Sequence, residues 1–164
     1  NYYGPPRLTQ DVDVLVLIPD VKSPALIETL SQEGCLLGDA EPKPIDLKAA
    51  LAQLRGKPPM ATFLRQSIRI EIFLPWHPFH SRVLERSPER PLEGRLIRSH
   101  SAEALIVFKK IFDRPKDIMD IKAILLAQKN RLDTARLLSD AQRLLTAPSL
   151  AELRELVARF GSGA

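Results

Sequence analysis

The chain has 164 residues, 45% hydrophobic and 27% charged, with a net charge of +4. That suits one domain, or one domain with a helical annex, and the longest apolar runs are too short to span a bilayer. One cysteine, Cys35, excludes an internal disulfide and a thiolate zinc site; the expected setting is reducing and cytoplasmic, and the mild basicity suits a polyanionic partner such as a nucleotide or RNA.

In chain order, Val12 to Ile18 reads as a buried strand, a Val/Leu/Ile run bounded by Asp and Pro. Ser23 to Gly34 reads as a helix, with Ser23 as N-cap, Pro24 at the first position and Gly34 as C-cap. A loop over Leu36 to Pro44 leads to a second helix, Ile45 to Leu54. After the Gly56-Lys57-Pro58-Pro59 turn come two strands, Ala61 to Leu64 and Ser67 to Leu74. In the second, Ile68, Ile70 and Ile72 share one face and Arg69, Glu71 and Phe73 the other. Pro75 to Pro91 reads as irregular, and Leu92 to Arg98 as a short strand. From residue 99 the pattern is helical: Ser101 to about Ile111, Pro115 to Gln128, Thr134 to Leu145, and Ser149 to Phe160 capped by Gly161. The expected layout is an α+β part over residues 1–98, a small mixed sheet flanked by helices, and a helical part over residues 99–164.

The two aspartates at the mouth of the first strand are out of place by local preference. Asp11 and Asp13 are two apart, so both carboxylates project from one side of a strand. Two such groups repel unless a cation neutralises them, and a hard divalent cation prefers oxygen ligands. Glu71, alone among the isoleucines of "SIRIEIFLP", is the candidate third carboxylate, with Arg69 on its face to orient or partly neutralise it. Three carboxylates on adjacent strands are a platform for two Mg²⁺ ions in nucleotidyl transfer. The plainer alternative is a strand-end Asp beside a solvated Arg/Glu face.

Three stretches carry a family resemblance. "YYGPPRLTQDVDVLV" resembles the first catalytic stretch of the nucleotidyltransferase superfamily with the polymerase-beta-like fold, in the branch related to AbiEii-type toxins. "IEIFLPWHPFHSRVLERS" resembles that branch's third-carboxylate strand and following loop, and "SAEALIVFKKIFDRPKDIMDIKAIL" its helical signature. The resemblance implies that Asp11, Asp13 and Glu71 are catalytic and bind Mg²⁺ or Mn²⁺, with Glu71 activating the attacking hydroxyl. It implies that Lys109, or its neighbour Lys110, touches the phosphates of an NTP. Arg7 and Thr9 would lie at the rim of the nucleotide pocket. Arg114, Lys116, Asp117 and Asp120 form the helical signature; Asp117 and Asp120 would hold the helical part against the sheet or position Lys109. The superfamily's Gly-Gly or Gly-Ser phosphate turn is not in this sequence, since Gly4 lies too close to Asp11. Residues upstream of Asn1 are therefore expected. The third carboxylate is Glu rather than Asp, one methylene longer, so the metal geometry must adjust; Glu is seen in related enzymes.

The function expected from these residues is transfer of a nucleoside monophosphate from an NTP to an RNA or protein hydroxyl, in a toxin–antitoxin setting. The alternatives are a catalytically inactive, antitoxin-like binding protein on the same fold and an RNA-binding helical protein. A 5% aromatic content weakens the last, because base stacking needs aromatic faces. His77, His80 and His100 could ligate zinc, but "WHPFH" suits packing better. The leucine-rich final helices read as core, with a homo-oligomer through them left open.

Overall fold

The computed structural model describes residue 3, residues 11–38 and residues 40–161. Arg7 and Thr9, assigned above to a pocket rim, lie outside the described residues. The protein forms two compact units, divided in sequence between Leu84 and Glu85. It is a mixed α/β protein: one unit carries a four-stranded mixed sheet with helices, the other a β-hairpin and helices.

The first unit begins with strand β1 (Asp11–Leu15), then a 3-10 turn (Asp20–Lys22) and helix α1 (Ser23–Gln32). Strand β2 (Leu36–Leu37), helix α2 (Leu47–Leu54), strand β3 (Met60–Arg65) and strand β4 (Ile68–Phe73) follow. The sheet order is β1-β4-β3-β2. β1 runs parallel to β4, while β4 with β3 and β3 with β2 are antiparallel. One face packs on α1 and α2 through Ile27, Cys35, Ala50, Leu54, Ala61, Phe63 and Ile72. Burying these side chains drives the assembly of the unit, each contributing roughly 1.5–3 kcal/mol for the larger aliphatic and aromatic groups.

Register assigns the other face. Partners across a ladder point the same way, so Asp11 goes with Arg69, Asp13 with Glu71, and Leu15 with Phe73. β3 adds Leu64 beside Arg69, Thr62 beside Glu71 and Met60 beside Phe73. The expected division of β4 holds at its centre: Ile72 is in the core and Ile70 against it, whereas Ile68 at the strand start is exposed.

Several boundaries differ from the sequence reading. β1 ends at Leu15 rather than Ile18, with one further bond from the Val16 N–H to the Phe73 carbonyl at 2.9 Å. Lys22, not Ser23, is the N-cap of α1, and Ser23 is buried inside the helix. The segment expected as a loop carries β2, because Leu37 pairs with Phe63 and Cys35 and Leu37 turn inward. Asp46 caps α2 by accepting the Ala49 N–H at 2.7 Å, so that helix starts two residues later than expected.

The largest correction is at Pro75 to Pro91. Pro78–Arg86 is helix α3, burying Phe79, His80 and Val83. Pro78 opens the helix, where its missing N–H is no loss, and the His77 Nδ1 accepts the Phe79 N–H at 3.1 Å.

The second unit contains strands β5 (Glu89–Leu92) and β6 (Arg95–Arg98), an antiparallel hairpin turning at Glu93 and Gly94. Both turn residues have positive φ, 48° and 77°, as the tight hairpin requires. Helices α4 (Ala102–Phe112), α5 (Pro115–Ala127), α6 (Thr134–Gln142) and α7 (Ala147–Leu156) follow. α4 packs on α5 and α6, and α6 on α7. Ile106, Val107, Ile121, Leu125, Leu137 and Leu153 are wholly buried, so the leucine pattern of the last helices is core. Gly161, expected as a C-cap, instead closes a π-helical turn (Val157–Gly161) that packs on α5. Among the described residues no helix is long and apolar enough to cross a membrane.

Candidate functional site

β1 and β4 bring the three predicted carboxylates onto one face of the sheet. Period-two alternation puts Asp11 and Asp13 on the same side of β1, and the parallel register sets Asp13 opposite Glu71. Arg69 lies one step back on β4. Its Nη2 donates to the Asp11 Oδ2 at 2.9 Å, and its Nε is 3.8 Å from the Glu71 Oε1. The guanidinium therefore reaches both outer carboxylates of the set.

Glu71 titrates above the ordinary glutamate range. Partial burial is the main cause; Arg69 opposes it, while Asp13 beside it and the more distant Asp11 reinforce it.

Among the described residues no three His, Cys, Asp or Glu side chains stand already drawn together as a metal cage. The donor chemistry still fits a hard divalent ion: three carboxylates, two adjacent strands, one face, and a surplus of negative charge that Arg69 offsets only in part. Asp11, Asp13 and Glu71 are the residues that could hold it, with Arg69 giving ground.

Past the acids, the same face becomes apolar. Leu15 and Phe73 are paired by register, and the Phe73 ring lies 6.2 Å from that of Trp76. Trp76 in turn sits 4.1 Å, centroid to centroid, from His80. His80 is buried at the start of α3 and His77 is occupied at its cap. His100, in the other unit, lies 5.2 Å from the Phe108 ring. The histidines pack and cap.

The helical signature works within the second unit. Ser101 caps α4 by accepting the Ala104 N–H at 3.2 Å. Asp117, at the third position of α5, accepts the Arg114 N–H at 3.2 Å and the Arg114 Nε at 2.6 Å. Burial works against its charge, but the Arg114 hydrogen bonds, with the pull of Arg114 and Lys109, outweigh it and hold Asp117 below the ordinary aspartate range. The Lys109 Nζ donates to the Asp120 Oδ2 at 2.6 Å and stands 3.9 Å from Asp117. Of the two roles foreseen for these aspartates, they engage Lys109 and so clamp α5 to α4. Lys116 is exposed on the first turn of α5.

Lys110 is only 1% exposed. Its Nζ donates to Asp113 and to Glu152, each at 2.7 Å. Desolvation favours its neutral form, but those two carboxylates prevail and raise its pKa. Lys110 thus joins α4 to α7, and Lys109 is the lysine that keeps some exposure.

Two partners escaped the sequence reading. Thr62 shares the acidic face only through the β3–β4 register. Glu103 accepts the Asp133 N–H at 3.0 Å and binds Arg136 at 2.8 Å, tying α4 to the start of α6. A buried Glu in the first turn of α4 was the available signal, and its partner thirty residues on was not.

No protein-family model and no curated protein matches the chain. The resemblance stated above rests on its motifs alone.

Proposed function

We propose that the protein is a metal-dependent nucleotidyltransferase acting on an RNA or protein hydroxyl. The observation that carries the reading is the placement of Asp11, Asp13 and Glu71 on one face of β1 and β4. Bound Mg²⁺ would supply charge neutralisation at the α-phosphate and at the departing pyrophosphate. Asp11 and Asp13 would hold the ion, and the raised affinity of Glu71 for a proton suits it to the role of base. Glu71 takes the proton of the acceptor hydroxyl as its oxygen bonds to the α-phosphorus and the bond from that phosphorus to the pyrophosphate oxygen breaks. Arg69 steadies the carboxylates and limits their mutual repulsion. A phosphate-binding role for Lys109 rests on the resemblance, as does membership of a toxin–antitoxin pair. A cytoplasmic setting belongs to the same proposal and agrees with the buried, unpaired thiol of Cys35.

The test is incubation of the full-length protein with Mg²⁺, each α-labelled NTP and a cellular RNA pool. Wild type is expected to transfer label and Asp13→Asn to lose it; equal labelling by both proteins would end the reading. A second reading, a binding protein that has given up catalysis, is favoured by one observation: Arg69 already serves as counter-charge to Asp11 and Glu71. It is distinguished by nucleotide binding without transfer.

A further inference from the structure

We propose that Trp76 is the stacking platform for the base of the nucleotide, an inference that rests on the nucleotidyltransferase reading of the acidic face. Trp76 is the sole tryptophan of the chain, and 51% of it is exposed. A ring of that size left in water is a substantial unburied apolar area. It is also held in place. His80 lies 4.1 Å away at 45°, Phe73 lies 6.2 Å away at 33°, and His80 itself is anchored in the buried side of α3. A rigid aromatic with a supported side and an exposed side loses little freedom when a second ring settles on it, which is what makes such rings effective base platforms.

The position along the strand selects a nucleotide as the occupant. Glu71 and Phe73 are successive residues on one face of β4, about 7 Å apart at the ordinary strand rise. Trp76 follows three residues after Phe73, just past the end of β4, with its ring 6.2 Å from the Phe73 ring. From Asp13 and Glu71 outward, the protein therefore presents carboxylates suited to a cation and its phosphates, then Leu15 and Phe73, then an open indole. A nucleoside triphosphate has the same order of character: phosphates, sugar, aromatic base. Stacking is tolerant of base identity, so the platform gives affinity to all four nucleotides and leaves selection to hydrogen bonds elsewhere.

The unique tryptophan allows a direct reading. The full-length protein is titrated with ATP, UTP and inorganic triphosphate, with Mg²⁺ present, while the indole emission and the heat of binding are followed. Both nucleotides are expected to quench the emission, and triphosphate to bind without quenching. Trp76→Ala is expected to weaken nucleotide binding by ~10- to 100-fold, with triphosphate affinity unchanged. Trp76→Phe, which keeps a ring, is expected to stay within a few-fold of wild type, and a melt of each variant shows that the fold is kept.

The failures separate. Nucleotide heat without quenching, with equal affinity in Trp76→Ala, overturns the platform and leaves the transferase reading standing. Quenching without label transfer removes the transferase reading and keeps the platform. No nucleotide binding at all overturns both. Emission that responds to protein concentration but not to nucleotide assigns the ring to a contact between copies, and likewise overturns the proposal.

Discussion

Asp13 stands opposite Glu71 in the parallel β1–β4 ladder, and its charge helps to raise the Glu71 pKa. The pair stores repulsion in the metal-free protein. Because the Glu71 pKa is raised on folding, the native state binds the extra proton. The associated stability is present below the ordinary glutamate range and is lost as pH rises through the raised value. Glu71→Gln removes the charge and keeps the shape. In chelator, it is expected to be more stable than wild type at neutral pH by about 1 kcal/mol, with the gap closing as pH falls from the raised value to the ordinary glutamate range. Urea unfolding at several pH values measures this, and a variant less stable than wild type at pH 7 contradicts it.

A cation that binds Asp11, Asp13 and Glu71 in the folded state must stabilise it. At a free concentration of 100 times Kd, the gain is about 2.7 kcal/mol, a rise of roughly 5 °C or more in the melting temperature for a chain of this size. Mn²⁺ is expected to give that rise in wild type and to lose it in Asp13→Asn. A Mn²⁺ shift of equal size in both proteins locates the ion elsewhere.

The parts of this arrangement that were legible in advance are the local ones. "DVDVLV" and "SIRIEIF" each declare their alternation, so the side of the strand on which Asp11, Asp13 and Glu71 stand follows from spacing alone. Their approach does not, because it depends on β1 choosing β4 as a parallel neighbour and on a register that a one-residue slip would invert. α3 was hidden for another reason: Pro75, Pro78, Pro88 and Pro91 suggest broken chain, yet Pro78 sits where a helix tolerates it. The double lysine at 109 and 110 shows the limit most clearly. Adjacent residues on a helix point about 100° apart, and only the distant Glu152 reveals that Lys110 faces inward.

That contrast gives a prediction for the two lysines. Asp113 and Glu152 are well exposed, so they regain water if Lys110 is removed. The loss falls on the buried aliphatic stem. Lys110→Ala is expected to destabilise by about 2–4 kcal/mol and Lys110→Met by less than about 1.5 kcal/mol. Lys109→Ala, whose partner Asp117 keeps Arg114, is expected to lie between them at about 1–2 kcal/mol. Chemical denaturation of the three variants ranks them; a Lys110→Ala protein as stable as wild type would mean that the aliphatic stem contributes nothing to the packing between α4 and α7.

Asp117 is the acid counterpart. It is 2% exposed and holds the start of α5 through the Arg114 N–H and guanidinium. Its depressed pKa means that its stabilisation is complete above the unfolded aspartate value, near 3.9, and is lost as pH falls through the lower folded value. Asp117→Asn keeps the size of the side chain but not the charge, leaving Arg114 and Lys109 with one fewer anion. A loss of roughly 3 kcal/mol is expected at pH 7, the scale for breaking a buried pair. Since wild type forfeits the same interaction in acid, the gap between the two proteins should narrow once the pH falls below about 4. Thermal melts from pH 7 to pH 3 decide the matter: a constant gap across that range would show that packing, not the carboxylate charge, is what Asp117 contributes.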